Sequence, residues 1–70
     1  MINYAPLWKT MDDKGITTYA LIAKYGIGSK TVYNLKHNKS ITMFTLSKLC
    51  HILDCTPNDV VTFNFEEYNN

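Results

Sequence analysis

The stretch Thr17-Thr-Tyr-Ala-Leu-Ile-Ala-Lys-Tyr-Gly-Ile-Gly-Ser-Lys-Thr-Val-Tyr-Asn-Leu-Lys-His-Asn38 decides how this chain is read. Thr17 or Thr18 can cap a helix that runs through Tyr25, with Leu21, Ile22 and Tyr25 as its inner face. Gly26 supplies the positive φ that a helix C-terminus wants, and Ile27 plugs the turn into the core. Ser29 to His37 then forms a further helix. At about 100° per residue, Thr31, Val32 and Leu35 fall on one side of it, while Lys30, Tyr33, Asn34 and His37 share the other. That outer face is polar or aromatic throughout, so the stretch reads as two short amphipathic helices hinged at a glycine.

Charge is arranged around the same stretch. No acidic residue lies between Asp13 and Asp54, and residues 14–53 hold six lysines. The window therefore carries +6 against −5 for the rest, and the net +1 of the whole chain conceals the asymmetry. Six acids scattered at random among seventy residues seldom leave forty consecutive positions empty. A one-signed surface of this kind suits a polyanion.

Outward from the window, the remaining segments read as three more helices and a tail. Asn3 can cap a first helix with Pro6 in its first turn, where the missing N–H costs nothing. Tyr4, Leu7, Trp8 and Met11 give that helix a buried stripe, and Gly15 ends it with Lys14 against the negative end of its dipole. Thr42 caps a fourth helix that buries Leu46, Leu49, Cys50 and Leu53. Thr56-Pro-Asn-Asp59 is a start signal for a short fifth helix. Val61 to Glu66 alternates apolar and polar residues, which suits a strand or extended arm, and residues 66–70 read as a frayed tail. Trp8 and Phe44 are assigned to core or rim.

Seventy residues make one domain, residues 1–70, with a small core. No run approaches the roughly 18 apolar residues a membrane span needs, and the start Met1-Ile-Asn-Tyr-Ala-Pro has neither the basic nor the apolar region of a signal peptide. A cytoplasmic protein is expected. Cys50 and Cys55 read as packing residues, and with His51 and His37 they make no patterned metal site. The sequence offers no Ser/His/Asp set, no phosphate-cradling glycine loop and no inward carboxylate pair, so no enzyme, cofactor or small-molecule substrate is expected. Lysine, asparagine, isoleucine and tyrosine are plentiful while arginine and glutamine are absent, the usage of an A·T-rich bacterial genome.

Two elements carry a resemblance: the run Gly26-Ile-Gly-Ser-Lys-Thr-Val-Tyr-Asn-Leu-Lys36 and the segment Leu49-Cys-His-Ile-Leu-Asp-Cys-Thr-Pro-Asn-Asp59. Over residues 4 to 63 the chain resembles the Cro and phage-repressor (XRE-type) family of small bacterial or phage regulators. It departs in Ile22, where many such motifs carry alanine, and in Gly28, where the third helix usually has a serine or threonine cap. The resemblance implies an all-α, five-helix DNA-binding domain with the helix-turn-helix at the second and third helices.

It also implies a sequence-specific transcriptional regulator, a repressor, that reads double-stranded DNA in the major groove. Ser29, Lys30, Tyr33 and Asn34 would be the base readers. The residue types fit: asparagine can pair with adenine N6/N7, lysine can donate to guanine O6/N7, and an aromatic ring can touch a thymine methyl. Thr17, Thr18, Tyr19, His37, Asn38, Lys39 and Thr42 would contact phosphates. Outward-facing polar residues are usually no more than solvated surface, and the threonines are caps first. The acid-free window raises the functional reading.

The competing reading is a helix-turn-helix used as a protein adaptor or antitoxin-like partner. It would need an exposed apolar patch and no basic face. A single third helix covers too few base pairs to find a site, so a homodimer is expected, paired through Val60-Val-Thr-Phe-Asn-Phe65. Alternatively, Phe63 and Phe65 fold back over the monomer's own core.

Overall fold

A computed structural model describes residues 1–65. In chain order it holds β1 (Ile2–Asn3), α1 (Ala5–Lys14), α2 (Thr18–Ala23), α3 (Ser29–Lys36) and α4 (Met43–Leu53). A single 3-10 turn (Pro57–Asp59) and β2 (Thr62–Phe63) follow. The expected frayed tail lies outside the described residues.

Each helix stops where its sequence carries a left-handed residue or a turn. α1 ends at Gly15 (φ 68°), and the following backbone returns hydrogen bonds to it, Gly15 N to Asp12 O at 3.1 Å and Ile16 N to Met11 O at 2.9 Å. The same closure recurs after α3 around Asn38 (φ 55°) and after α4 around Asp54 (φ 49°). Asparagine and aspartate are the non-glycine residues that tolerate this conformation best. At the start of α1 the cap position falls on Tyr4 and not on Asn3, which from inside β1 accepts from Ala5 N at 2.7 Å.

The helices meet over one core. Tyr4, Leu7 and Met11 enter it from α1 and its first turn, Leu21 from α2, Ile27 from the glycine turn, Val32 and Leu35 from α3, and Leu49 and Leu53 from α4. Val60 closes it from beyond the 3-10 turn. Trp8, Leu46 and Cys50 pack against the rim of this cluster as partly buried groups. Cys50 and Cys55 are free thiols.

Four expectations need correction. There are four α-helices among the described residues, since Thr56–Asp59 gives a single 3-10 turn. The start signal is present: Thr56 N and Oγ1 both donate to Asp59 Oδ2, at 3.2 and 3.3 Å. One turn is too short to repay helix nucleation, and the residues that follow, Val60-Val-Thr-Phe63, favour strand. Second, the fold is not wholly helical, because β2 pairs antiparallel with β1 in the register Ile2↔Phe63 and Asn3↔Thr62.

Third, α2 is only six residues long and buries Leu21 alone, leaving Ile22 exposed. Fourth, Phe44 is 80% exposed on the first turn of α4, ahead of the point where that helix meets the core. Phe63 and Phe65 are likewise exposed and do not close over the core. Phe63 and Phe65 share a second depression with Met43, and Met43 and Phe63 also line a shallow groove of about 130 Å³ with Ile2, Tyr4, Ile41, Leu46 and Val61.

Candidate nucleic-acid interface

The α2–turn–α3 unit is fixed by its turn. Lys24 N and Tyr25 N both donate to Ala20 O, at 2.9 and 3.2 Å, Gly26 takes φ 73°, and Ile27 N returns to Leu21 O at 2.9 Å. With Ile27 buried behind it, the turn cannot swing, and α3 leaves at a set angle to α2. Gly28 caps α3 in extended conformation (φ −64°, ψ 148°) without a side-chain bond. The first α3 residues, Ser29 and Lys30, are exposed.

At the far end of α3 three of the expected contact residues form one assembly. The Tyr33 and His37 rings stack at 4.0 Å between centroids and 26° between planes, and the Lys39 ammonium lies 5.7 Å from the Tyr33 centroid. His37 Nδ1 is 2.8 Å from the Tyr33 carbonyl oxygen, a pairing that needs the proton on Nδ1. Nε2 of the neutral ring is then an acceptor, and only the protonated ring offers a second N–H to a phosphate. Tyr33 is thus the platform of the group and not a lone outward ring.

Asn34 points elsewhere. It is half-buried and lines a polar cleft of about 260 Å³ with Thr31, Ser40, Ile41, Thr42 and Thr45, between α3 and the start of α4. Here Thr42 Oγ1 accepts from Thr45 N at 3.1 Å and donates to Thr45 Oγ1 at 3.0 Å. The Thr42 hydroxyl is therefore occupied, and the free hydroxyl hydrogen passes to Thr45. Thr31, expected on the inner face opposite Asn34, lines the same cleft. Ser40 and Thr45 were not singled out from sequence, although the Thr42-x-x-Thr45 spacing of a capped first turn was available to signal the last.

Thr17, Thr18 and Tyr19 make a separate group at the start of α2. Thr17 Oγ1 accepts from Ala20 N at 3.1 Å, its capping role, and Tyr19 stands 78% exposed. Asn38 is exposed, but its Oδ1 is taken by Tyr4 N at 3.0 Å, and Tyr4 Oη donates to Lys39 O at 2.7 Å. Burial raises the Tyr4 phenol above its usual value. Tyr4 counted only as core in the sequence reading.

All six lysines of the acid-free window are exposed. Among the described residues the one ion pair is Lys9–Asp13 at 3.0 Å, outside the window, so none of the six lysines is paired with a described carboxylate. Among the described residues there is no cluster of three or more metal-binding side chains and no buried charged group. Among the described residues no helix is long and apolar enough to cross a membrane.

Comparison with curated proteins finds no match. The solved structure of the transcriptional regulator VanUg superimposes with a TM-score of 0.81 at 24% identity, covering 87% of this chain and 81% of that one, which is a likeness of fold. The family model of the Cro/C1-type helix-turn-helix DNA-binding domain matches residues 6–66, nearly the whole length. The glycine-hinged helix pair, its one-signed surface and this match agree, and the chain belongs to the Cro/C1-type helix-turn-helix DNA-binding family.

Proposed function

We propose that this DNA-binding domain is a sequence-specific transcriptional regulator that lays α3 in the major groove and represses by occupying its site. The observation that carries the reading is the unpaired basic face: six exposed lysines in a window without an acid, around an α3 whose first turn is open to solvent. On this reading Ser29, Lys30 and Asn34 meet base edges, with Tyr33 beside them. Thr17, Thr18, Tyr19, His37, Asn38 and Lys39 position the duplex through its phosphates, while Thr42, whose hydroxyl hydrogen is given to Thr45, leaves that contact to Thr45 Oγ1. Asn38 contributes through its amide nitrogen, since its oxygen is engaged.

Selection of bound duplexes from random DNA, followed by a salt titration on the recovered sequence, tests this. With four or five lysines per subunit on phosphates, log K should fall by about four per decade of salt, and by more for a dimer. A slope near zero, or no enrichment of any sequence, would remove the reading.

The working unit on this reading is a homodimer on an inverted repeat, because one α3 covers only about four to six base pairs. Its contact is the C-terminal segment of residues 61–65 together with Met43 and Phe44, where Phe63, Phe65, Met43 and Phe44 are exposed while Val60 is spent on the monomer's own core. The same patch is what a protein adaptor would show. An adaptor, however, has no use for the basic face, and a dimer mass in solution separates the two.

A further inference from the structure

Tyr4 is the most deeply buried aromatic residue, 1% exposed, yet its phenol oxygen is not spent on the core. Its backbone N–H donates to Asn38 Oδ1 at 3.0 Å and its hydroxyl to Lys39 O at 2.7 Å, two successive groups of the turn that leaves α3. The same turn is gripped from the other side by α3, through Lys39 N to Asn34 O at 2.8 Å and Asn38 N to Leu35 O at 3.4 Å. Lys39 then extends over the Tyr33 ring. A phenylalanine would fill the space beneath the turn equally well, so what tyrosine adds is the bond to the Lys39 carbonyl.

We propose that Tyr4 is a positioning residue for DNA binding: from the core side it fixes the backbone of Asn38 and Lys39, so that the Lys39 ammonium stands ready for a phosphate. This rests on the DNA reading above. A lysine on a turn already ordered in the free protein gives up less conformational freedom on binding than one on a loose turn. Tyr4 touches no DNA itself. Its effect should pass through Lys39, leave base discrimination untouched, and be invisible once Lys39 is gone.

The test uses the full chain, the duplex recovered by selection and a scrambled duplex of equal length. Tyr4→Phe, Lys39→Ala and the double variant are compared at a temperature where circular dichroism shows all of them folded. Tyr4→Phe should weaken both duplexes alike, about fivefold for one lost hydrogen bond, with the ratio between them unchanged. The salt slope should fall toward the Lys39→Ala value, by up to about 0.9. The double variant should bind no more weakly than Lys39→Ala alone.

Asn38→Gly provides a second route, read in the free protein alone, since glycine keeps the left-handed turn and removes the acceptor for Tyr4 N together with the amide donor placed on a phosphate. It should quicken amide exchange at Lys39. In the free protein, amide exchange at Asn38 and Lys39 should quicken in Tyr4→Phe while that of Val32 and Leu35 stays slow. Full affinity with an unchanged slope in Tyr4→Phe, additive losses in the double variant, or a loss confined to the selected duplex would each overturn the proposal. If the wild type binds no duplex at all, the DNA reading falls and this one with it. If the wild type binds and Tyr4→Phe binds equally, this one falls alone.

Discussion

Asn34 and Lys39 share a backbone hydrogen bond of 2.8 Å and nevertheless belong to different chemistry. Asn34 presents an amide with paired donor and acceptor, which can tell one base from another, whereas Lys39 presents a point charge that meets any phosphate. Asn34→Ala should therefore cost about 1–3 kcal/mol on the selected site and almost nothing on scrambled DNA, measured by paired titrations. Lys39→Ala should weaken both equally. Equal losses for Asn34→Ala would strike it from the readers. Neither the cleft around Asn34 nor the ring stack under Lys39 was legible in the sequence. Helical spacing puts Tyr33, Asn34 and His37 on one face, but it does not say that Tyr33 and His37 turn toward each other and Asn34 toward α4. The stack is closed locally, by His37 Nδ1 on the Tyr33 carbonyl, whereas the cleft beside Asn34 depends on the path of the chain after Asn38, which Tyr4 helps to hold from more than thirty positions away.

At the scale of elements, the helix boundaries were readable wherever one residue type does the terminating. Gly15 and Gly26 at positive φ, and the caps Thr17 and Thr42, stand where local chemistry puts them. What local chemistry could not supply was extent. A start signal at Thr56 says nothing of whether the next turns have a face to bury, and the partner of β2 is drawn from the opposite end of the sequence. Gly28 and Gly26 separate the two kinds of glycine. A side chain at Gly28 would meet nothing within 4 Å and its φ is ordinary, so Gly28→Ser should raise stability by a few tenths of a kcal/mol by capping α3. Gly26→Ala also meets nothing, yet at φ +73° it should cost about 1 kcal/mol or more. Urea denaturation of both variants checks the opposite signs. The junction after α4 has its own signature. Burial, aided by the neighbouring Cys50, lifts the Cys55 thiol from 9.0 to about 11. Between those values the folded chain keeps a proton that the unfolded chain has lost, so stability is intact below pH 9 and falls as pH rises through 11. Urea midpoints across that range should decline more steeply for the wild type than for Cys55→Ala.

For the molecule as a whole, the basic face and the apolar patch answer different needs. On the proposed reading the window of lysines serves a polyanion, and the exposed Met43, Phe44, Phe63 and Phe65 serve the pairing of two subunits. A Phe63→Ser, Phe65→Ser double variant that remains folded should sediment as a monomer and lose tight binding to the selected repeat, while its affinity for a half-site stays close to that of a wild-type monomer. A wild type that is monomeric at tens of micromolar, both free and on its repeat, would refute the pairing.

The β1–β2 ribbon also sets an order of events in folding. Ile2 and Phe63 pair across almost the whole chain, whereas the α2–turn–α3 unit is built from near neighbours in sequence. Closing a loop that long costs entropy which two short strands repay only after the helices have assembled, so the ribbon forms last and opens first. Tyr4 is the residue next to β1. The turn that carries Lys39 is therefore held by a residue that stands between the packed helices and the late-forming ribbon.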